Sequence, residues 1–198
     1  KVTIPLTVIS FSIALVIATA MAMVQFANIK GLRQIARFYI WIFRGTPLLV
    51  QLFVVFYGLP RAGILNDPFP AAVLVFSLNE GAYSAETMRA ALEAVPAGQL
   101  DAGYCVGMSY LQIMRRIILP QAMRTAFPPL SNSLNAMVKD TSLAFVVVVA
   151  EMFTIAKQIA SAQTTMMPVV IAAIFYYVFN LIVAVVMQKV EKSMNYYR

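Results

Sequence analysis

Two clusters of polar residues interrupt an otherwise apolar sequence. The first comprises Asn79, Glu80, Tyr83, Glu86 and Arg89, and the second Asn132, Asn135, Lys139, Asp140, Thr141 and Ser142. On a helix, at about 100° per residue, Asn79, Tyr83 and Glu86 share one stripe, while Asn132, Asn135, Lys139 and Ser142 fall within a narrow arc. Carboxylates, an ammonium, amides and hydroxyls converging from two helices are the lining expected of a hydrophilic substrate site at the centre of a bundle. Each also has a purely structural use. Glu86 and Arg89 are spaced to pair at i, i+3. Lys139 and Asp140 are adjacent, point apart and cannot neutralise each other across one turn, so one needs a partner elsewhere, for instance Lys139 with Glu80. Glu80 has no local partner; it either faces the interior for function or is neutralised by protonation or a neighbouring helix.

Other chemistry is excluded by composition. The chain has no histidine and one cysteine, Cys105, so disulfide frameworks, zinc clusters, histidine-ligated haem and Ser/His or Cys/His catalysis have no residues to work with. It has no G-x-x-x-x-G-K-[ST] loop, so any ATP chemistry belongs to another polypeptide. The net charge of +7 is spread over the ends of apolar runs and forms no stripe that would neutralise phosphates, which argues against nucleic acid.

The elements that must position the polar clusters are membrane spans. Of the 198 residues, 61% are hydrophobic and 12% charged, and mean hydropathy is +0.79, values of an all-α integral membrane protein. Five spans are expected: Val2 to Phe26, Phe38 to Gly58, Ala71 to Leu92, Leu130 to Phe153 and Met166 to Met187. The first is too long for a signal-peptide core. The second carries Arg44-Gly45-Thr46-Pro47, where proline removes a donor, kinks the axis and leaves a carbonyl to be satisfied; Arg44 snorkelling at an interfacial kink is the simpler reading. Leu59 to Pro70 and Lys157 to Thr165 read as loops, and Ala27 to Arg37 as a basic loop before an aromatic belt of Phe38, Tyr39, Trp41 and Phe43. Placing that loop inside collects Lys30, Arg33, Arg37, Arg44, Arg89, Arg115, Arg116, Arg124, Lys189, Lys192 and Arg198 in the cytoplasm and leaves Lys1, Arg61 and Lys157 outside. The amino terminus is then outside and the carboxy terminus inside.

The segment 98–120 is cytoplasmic on this topology and is more than a connector. A short helix is expected from Gln99 to Val106, broken by Gly107. Ser109 and Gln112 form a capping box that starts a second short helix ending before Pro120, with Leu111, Met114, Ile117 and Ile118 on its apolar side and Arg115 and Arg116 opposite. The pattern suits a hairpin fitting a cleft on a soluble partner, and equally an amphipathic helix resting on headgroups.

Gln99-Leu100-Asp101-Ala102-Gly103, followed by Gly107 and Ile117 to Pro120, resembles the Glu-Ala-Ala, Gly, I-x-L-P signature of permease subunits of ABC importers. Arg44-Gly45-Thr46-Pro47, Gly81-Ala82-Tyr83 with Glu86, Pro120-Gln121-Ala122 and Lys139-Asp140-Thr141-Ser142 resemble the polar amino-acid branch. The wording of Leu78 to Glu86 and of Pro128 to Ser133 is most similar to members that import cystine, with arginine, histidine and glutamine as alternatives. The resemblance implies one domain over 1–198 with the type I importer architecture and a coupling hairpin at 98–120. Gln99, Asp101, Ala102, Gly103, Gly107 and Arg115 would then dock an ATPase. The implied partners are two ATPase copies that bind the ATP and magnesium, a second permease chain forming a homodimer, an extracytoplasmic amino-acid-binding protein and the lipid of a bacterial inner membrane. Asn79, Glu80, Tyr83, Glu86, Asn132, Lys139, Asp140, Thr141 and Ser142 would line the path. One departure is that Asp101-Ala102-Gly103 stands for Glu-Ala-Ala, a shorter acid and a glycine expected to loosen the first helix. A secondary transporter working without ATP predicts inverted repeats, which the sequence lacks; a mere anchoring subunit leaves the buried charges unexplained.

Overall fold

A computed structural model describes residues 2–61, 67–147, 149 and 152–194. Among these the chain is all helix. The order is α1 (Thr3–Phe26), α2 (Leu32–Gly45), α3 (Leu48–Arg61), α4 (Pro68–Glu93), α5 (Gly98–Cys105), α6 (Tyr110–Ile113), a π turn (Met114–Ile118), α7 (Leu119–Asp140), a 3-10 turn (Thr141–Val147), α8 (Met152–Gln163) and α9 (Met167–Met194). Among the described residues α1 and α9 are each long and apolar enough to cross a membrane. The α2–α3 pair qualifies jointly but is bent by 104°.

The central contact is α1 on α4. Ser10, Ala14, Ala18 and Ala22 recur every four residues along the buried face of α1, and α4 answers with Ala72, Gly81, Ala82, Ser84 and Ala85. Small side chains let two backbones approach, which is what holds helices together where lipid removes the hydrophobic drive. Gly81 has no room for a side chain: a Cβ there would lie 2.9 Å from Tyr39 Oη on α2 and 3.2 Å from Ile17 Cγ2 on α1.

Around this pair lie apolar clusters at opposite ends. Leu6, Leu52, Val75, Phe76, Met137 and Val147 join the start of α1 and α4 to α3 and the end of α7. Ala22, Leu92, Ile113, Met114, Ile118 and Ala126 join the other end of α1 and α4 to α6, the π turn and the start of α7.

The element boundaries differ from expectation where tertiary packing overrides the local effect of proline and charge. The second span is two helices: Thr46, the residue before Pro47, is extended (φ −120, ψ 143), as sterics before proline dictate, and the kink becomes a full break. The basic loop shrinks because α2 starts at Leu32. In the loop from Leu59 to Pro70, α3 continues to Arg61, and Asp67 caps α4 by accepting from Phe69 N at 3.0 Å; positions 62–66 lie outside the described residues. Pro128 and Pro129 do not precede the fourth span but sit inside α7, where Ala122, Ala126 and Leu130 pack continuously and outweigh the lost backbone bonds. That helix ends at Asp140 instead of running to Phe153. Thr141 turns its hydroxyl back onto Val138 O at 2.7 Å, and the β-branched run beyond has low helix propensity. Lys157 to Thr165, read as a loop, is mostly the helix α8.

Candidate functional site

The hairpin forms as its caps direct. Gly107 has φ +76, a left-handed conformation that ends α5. Ser109 accepts from Gln112 N at 3.4 Å while Gln112 Oε1 accepts from Ser109 N at 2.9 Å, the reciprocal box. The second helix does not stop before Pro120; it passes through the π turn into α7. The extra residue in that turn brings Met114 and Ile118 into line with Ala122 and Ala126, so Ile113, Met114 and Ile118 are buried and Leu111, expected on the apolar side, is 75% exposed. Gly103 has a role that looseness does not describe. It is buried under Ile113, and a Cβ there would lie 2.6 Å from Ile113 Cγ1, so glycine is what lets α5 close on α6. Gln99, Asp101, Ala102, Gly107 and Arg115 are exposed, next to Tyr104 (50%), Val106 (74%) and Tyr110 (45%).

The polar residues of α4 close onto the break between α2 and α3. Pro47 and the extended Thr46 leave the last carbonyls of α2 without helical donors. Gln51 Nε2 donates to Phe43 O at 2.9 Å, to Thr46 O at 3.1 Å and to Thr46 Oγ1 at 2.7 Å. Asn79 Nδ2 donates to Gln51 Oε1 at 3.0 Å and to Phe43 O at 3.3 Å. Tyr83 donates its hydroxyl to Arg44 O at 3.5 Å and takes the Arg44 guanidinium over its ring at 5.4 Å. The Glu86–Arg89 pair is present, with Arg89 Nε 3.1 Å from Glu86 Oε1. Glu80 accepts from Ser84, one turn along α4, at 2.5 Å and turns toward α7, where Ser133 supplies a second hydroxyl.

The residues of α7 divide. Asp140 lies on the Glu80 side and Lys139 on the other, as their adjacency requires. The Lys139–Glu80 ion pair is not made; among the described residues Lys139 has no carboxylate within ion-pair distance. It is exposed in the last turn of α7, where the helix dipole favours a cation, and with Ser142, Tyr177 and Asn180 it lines a cleft of about 500 Å³ against α9. Asn132 is exposed, and Asn135 keeps a buried Oδ1 without a partner among the described residues. Thr141 is fully buried and spends its hydroxyl on the backbone. Seven of the nine candidates therefore fall into three places: Asn79, Tyr83 and Glu86 at the break, Glu80 with Asp140 between α4 and α7, and Lys139 with Ser142 on the α9 side. Thr141 stays inside the turn and Asn132 on the surface. Sequence reasoning missed Gln51. The available signal was an amide alone in an apolar run, which must pair with something.

Residues 14–196 match the family described as the binding-protein-dependent transport system inner membrane component. The chain belongs to this permease family. It is 41% identical to the L-cystine transport system permease protein TcyB of Bacillus subtilis over 98% of this chain and 84% of that one. It is 39% identical to the octopine permease OccM of Rhizobium radiobacter over 90% of this chain and 77% of that one. The permease also superposes on the crystal structure of an amino acid ABC transporter with TM-score 0.89, at 32% identity, covering 96% and 90% of the two chains. The motif resemblance is thereby borne out: this is a permease subunit of the amino-acid ABC importers with their type I fold, a transport component and not an enzyme.

Proposed function

We propose that this permease carries L-cystine, delivered by an extracytoplasmic binding protein and driven by a separate ATPase pair. The observation that carries the substrate is the 41% identity to an L-cystine permease over nearly the whole chain. In this reading α1, the α2–α3 pair, α4, α7 and α9 make five crossings of an inner membrane, with the amino terminus outside and the carboxy terminus in the cytoplasm, and two copies form the path. The α5–α6 hairpin docks in the ATPase, which binds the ATP and magnesium. Support for docking is the exposed patch of Tyr104, Val106, Tyr110 and Leu111 rimmed by Gln99, Asp101 and Arg115, since an apolar patch with a polar rim marks a protein interaction site. Closure of the ATPases would move the hairpin, and because the π turn continues into α7, the motion reaches Lys139 and Asp140 along one rod. Lys139 and Ser142 meet the carboxylates of the cargo, and Asp140 with Glu80 its ammonium groups.

The test is reconstitution with the cognate ATPase and binding protein. L-cystine should stimulate ATP hydrolysis and accumulate, whereas arginine, histidine, glutamine and octopine should not. Stimulation by one of these, without a response to cystine, would replace the substrate and leave the family standing. Asp101→Lys should leave the permease in the membrane while ATP hydrolysis no longer drives uptake; unchanged coupling would remove the hairpin's assigned role.

A further inference from the structure

We propose that the groove between α1, α2 and α4 is a binding site for the phosphate headgroup of an anionic phospholipid. The groove measures about 600 Å³, and its charged wall is mostly cationic: the guanidiniums of Arg37, Arg44 and Arg89. Three guanidiniums face one carboxylate, Glu86, which Arg89 already holds. Arg37 and Arg44 have no carboxylate within ion-pair distance among the described residues, and Arg44, lying over the Tyr83 ring, keeps its in-plane fork of donors open. Gln25 closes the inner end of the groove and is only 8% exposed. A ligand that only accepts and carries net negative charge answers Arg37 and Arg44 together, and the two non-bridging oxygens of a phosphodiester match the planar fork of each guanidinium.

That the oxyanion belongs to a lipid follows from what borders the groove. Trp41 on its wall is 73% exposed, Phe38 stacks against it with centroids 6.4 Å apart and is 62% exposed, and Ile35 is 64% exposed. Aromatics at headgroup level beside a basic pocket between helices are how a membrane protein holds an anionic lipid. A free phosphate would use the donors and leave this apolar edge idle.

Trp41 is the one tryptophan of the sequence, so its fluorescence reports the groove directly. The full permease chain is placed in phosphatidylcholine vesicles containing increasing fractions of dibrominated phosphatidylglycerol or dibrominated phosphatidylcholine. The brominated anionic lipid should quench Trp41 at a roughly tenfold lower mole fraction than the zwitterionic one, the factor one charge-assisted hydrogen bond gives. Arg37→Gln with Arg44→Gln should abolish that preference; Arg37→Lys with Arg44→Lys should keep at least half of it. Lys189→Gln with Lys192→Gln, an equal charge removed from α9, should not alter it. Equal quenching by both lipids, or none because a second copy covers the groove, would overturn the proposal. So would full displacement of the brominated anionic lipid by millimolar inorganic phosphate, which would mark a site for a free oxyanion.

Discussion

The polar residues of α4 and of α7 read alike in sequence and are engaged differently in the fold. On α4, Asn79, Tyr83, Glu86 and Glu80 all have partners within the chain. On α7, Lys139 and Asn132 are exposed and Asn135 holds an unpartnered carbonyl. A polar group that completes a broken backbone has already used its hydrogen bonds; one at a helix end beside a cleft still has them to give. The comparison assigns α4 chiefly to holding the α2–α3 break and α7 chiefly to presenting groups to something outside the chain.

The most severe way to strain that division is at Gly81. Valine has a higher helix propensity than glycine, by less than about 1 kcal/mol, so Gly81→Val would slightly stabilise an α4 that merely crossed the bilayer. With Tyr39 Oη 2.9 Å from the position of the new Cβ, overpacking should instead destabilise the fold by about 3 kcal/mol, seen as a lower thermal midpoint and poor yield in the membrane. A stable Gly81→Val would mean that α1, α2 and α4 are not packed as described. Asn79→Leu sharpens the same side of the comparison. It removes the donor to Gln51 Oε1, leaving that part-buried acceptor unmade at a cost of about 1–3 kcal/mol, while Phe43 O keeps the donor from Gln51 Nε2. Thermal stability should fall, while the apparent affinity of the protein that remains folded should not change. Lost affinity at unchanged stability would return Asn79 to the cargo path.

Much of this was legible in the sequence, for identifiable reasons. The capping box at Ser109 and Gln112, the break at Gly107 and the Glu86–Arg89 pair depend on residues within one turn of each other, and local chemistry is what a sequence displays. The i, i+4, i+7 stripe of Asn79, Tyr83 and Glu86 was visible too, but the groups it faces were not. Phe43 O and Arg44 O come from one side of the break and Gln51 from the other, across an angle of 104° set by tertiary packing. Pro47 and the Pro128-Pro129 pair make the point jointly. The same residue type ends one helix and lies within another, and the difference is whether a continuous packed face, here Ala122, Ala126 and Leu130, holds the helix together. Gly103 likewise reads as a weakness in a short helix until Ile113 is seen to occupy the space a methyl group would need.

The α7 side of the comparison is broken or upheld at Lys139. Its side chain is exposed, makes no ion pair among the described residues and lies in the last turn of α7, where a cation interacts with the helix dipole by about 0.3–1 kcal/mol. Lys139→Ala should therefore lower stability by less than about 1 kcal/mol, a shift of a few degrees at most in the thermal midpoint. If the ammonium meets a carboxylate of the cargo, losing that charged hydrogen bond, worth about 1.5 kcal/mol, should reduce apparent uptake affinity about tenfold. Lys139→Arg, which keeps the charge, should recover part of it. Should Lys139→Ala instead leave uptake untouched and markedly lower the midpoint, Lys139 would belong with the residues of α4 as a structural group, and the cleft against α9 would lose its claim to the cargo.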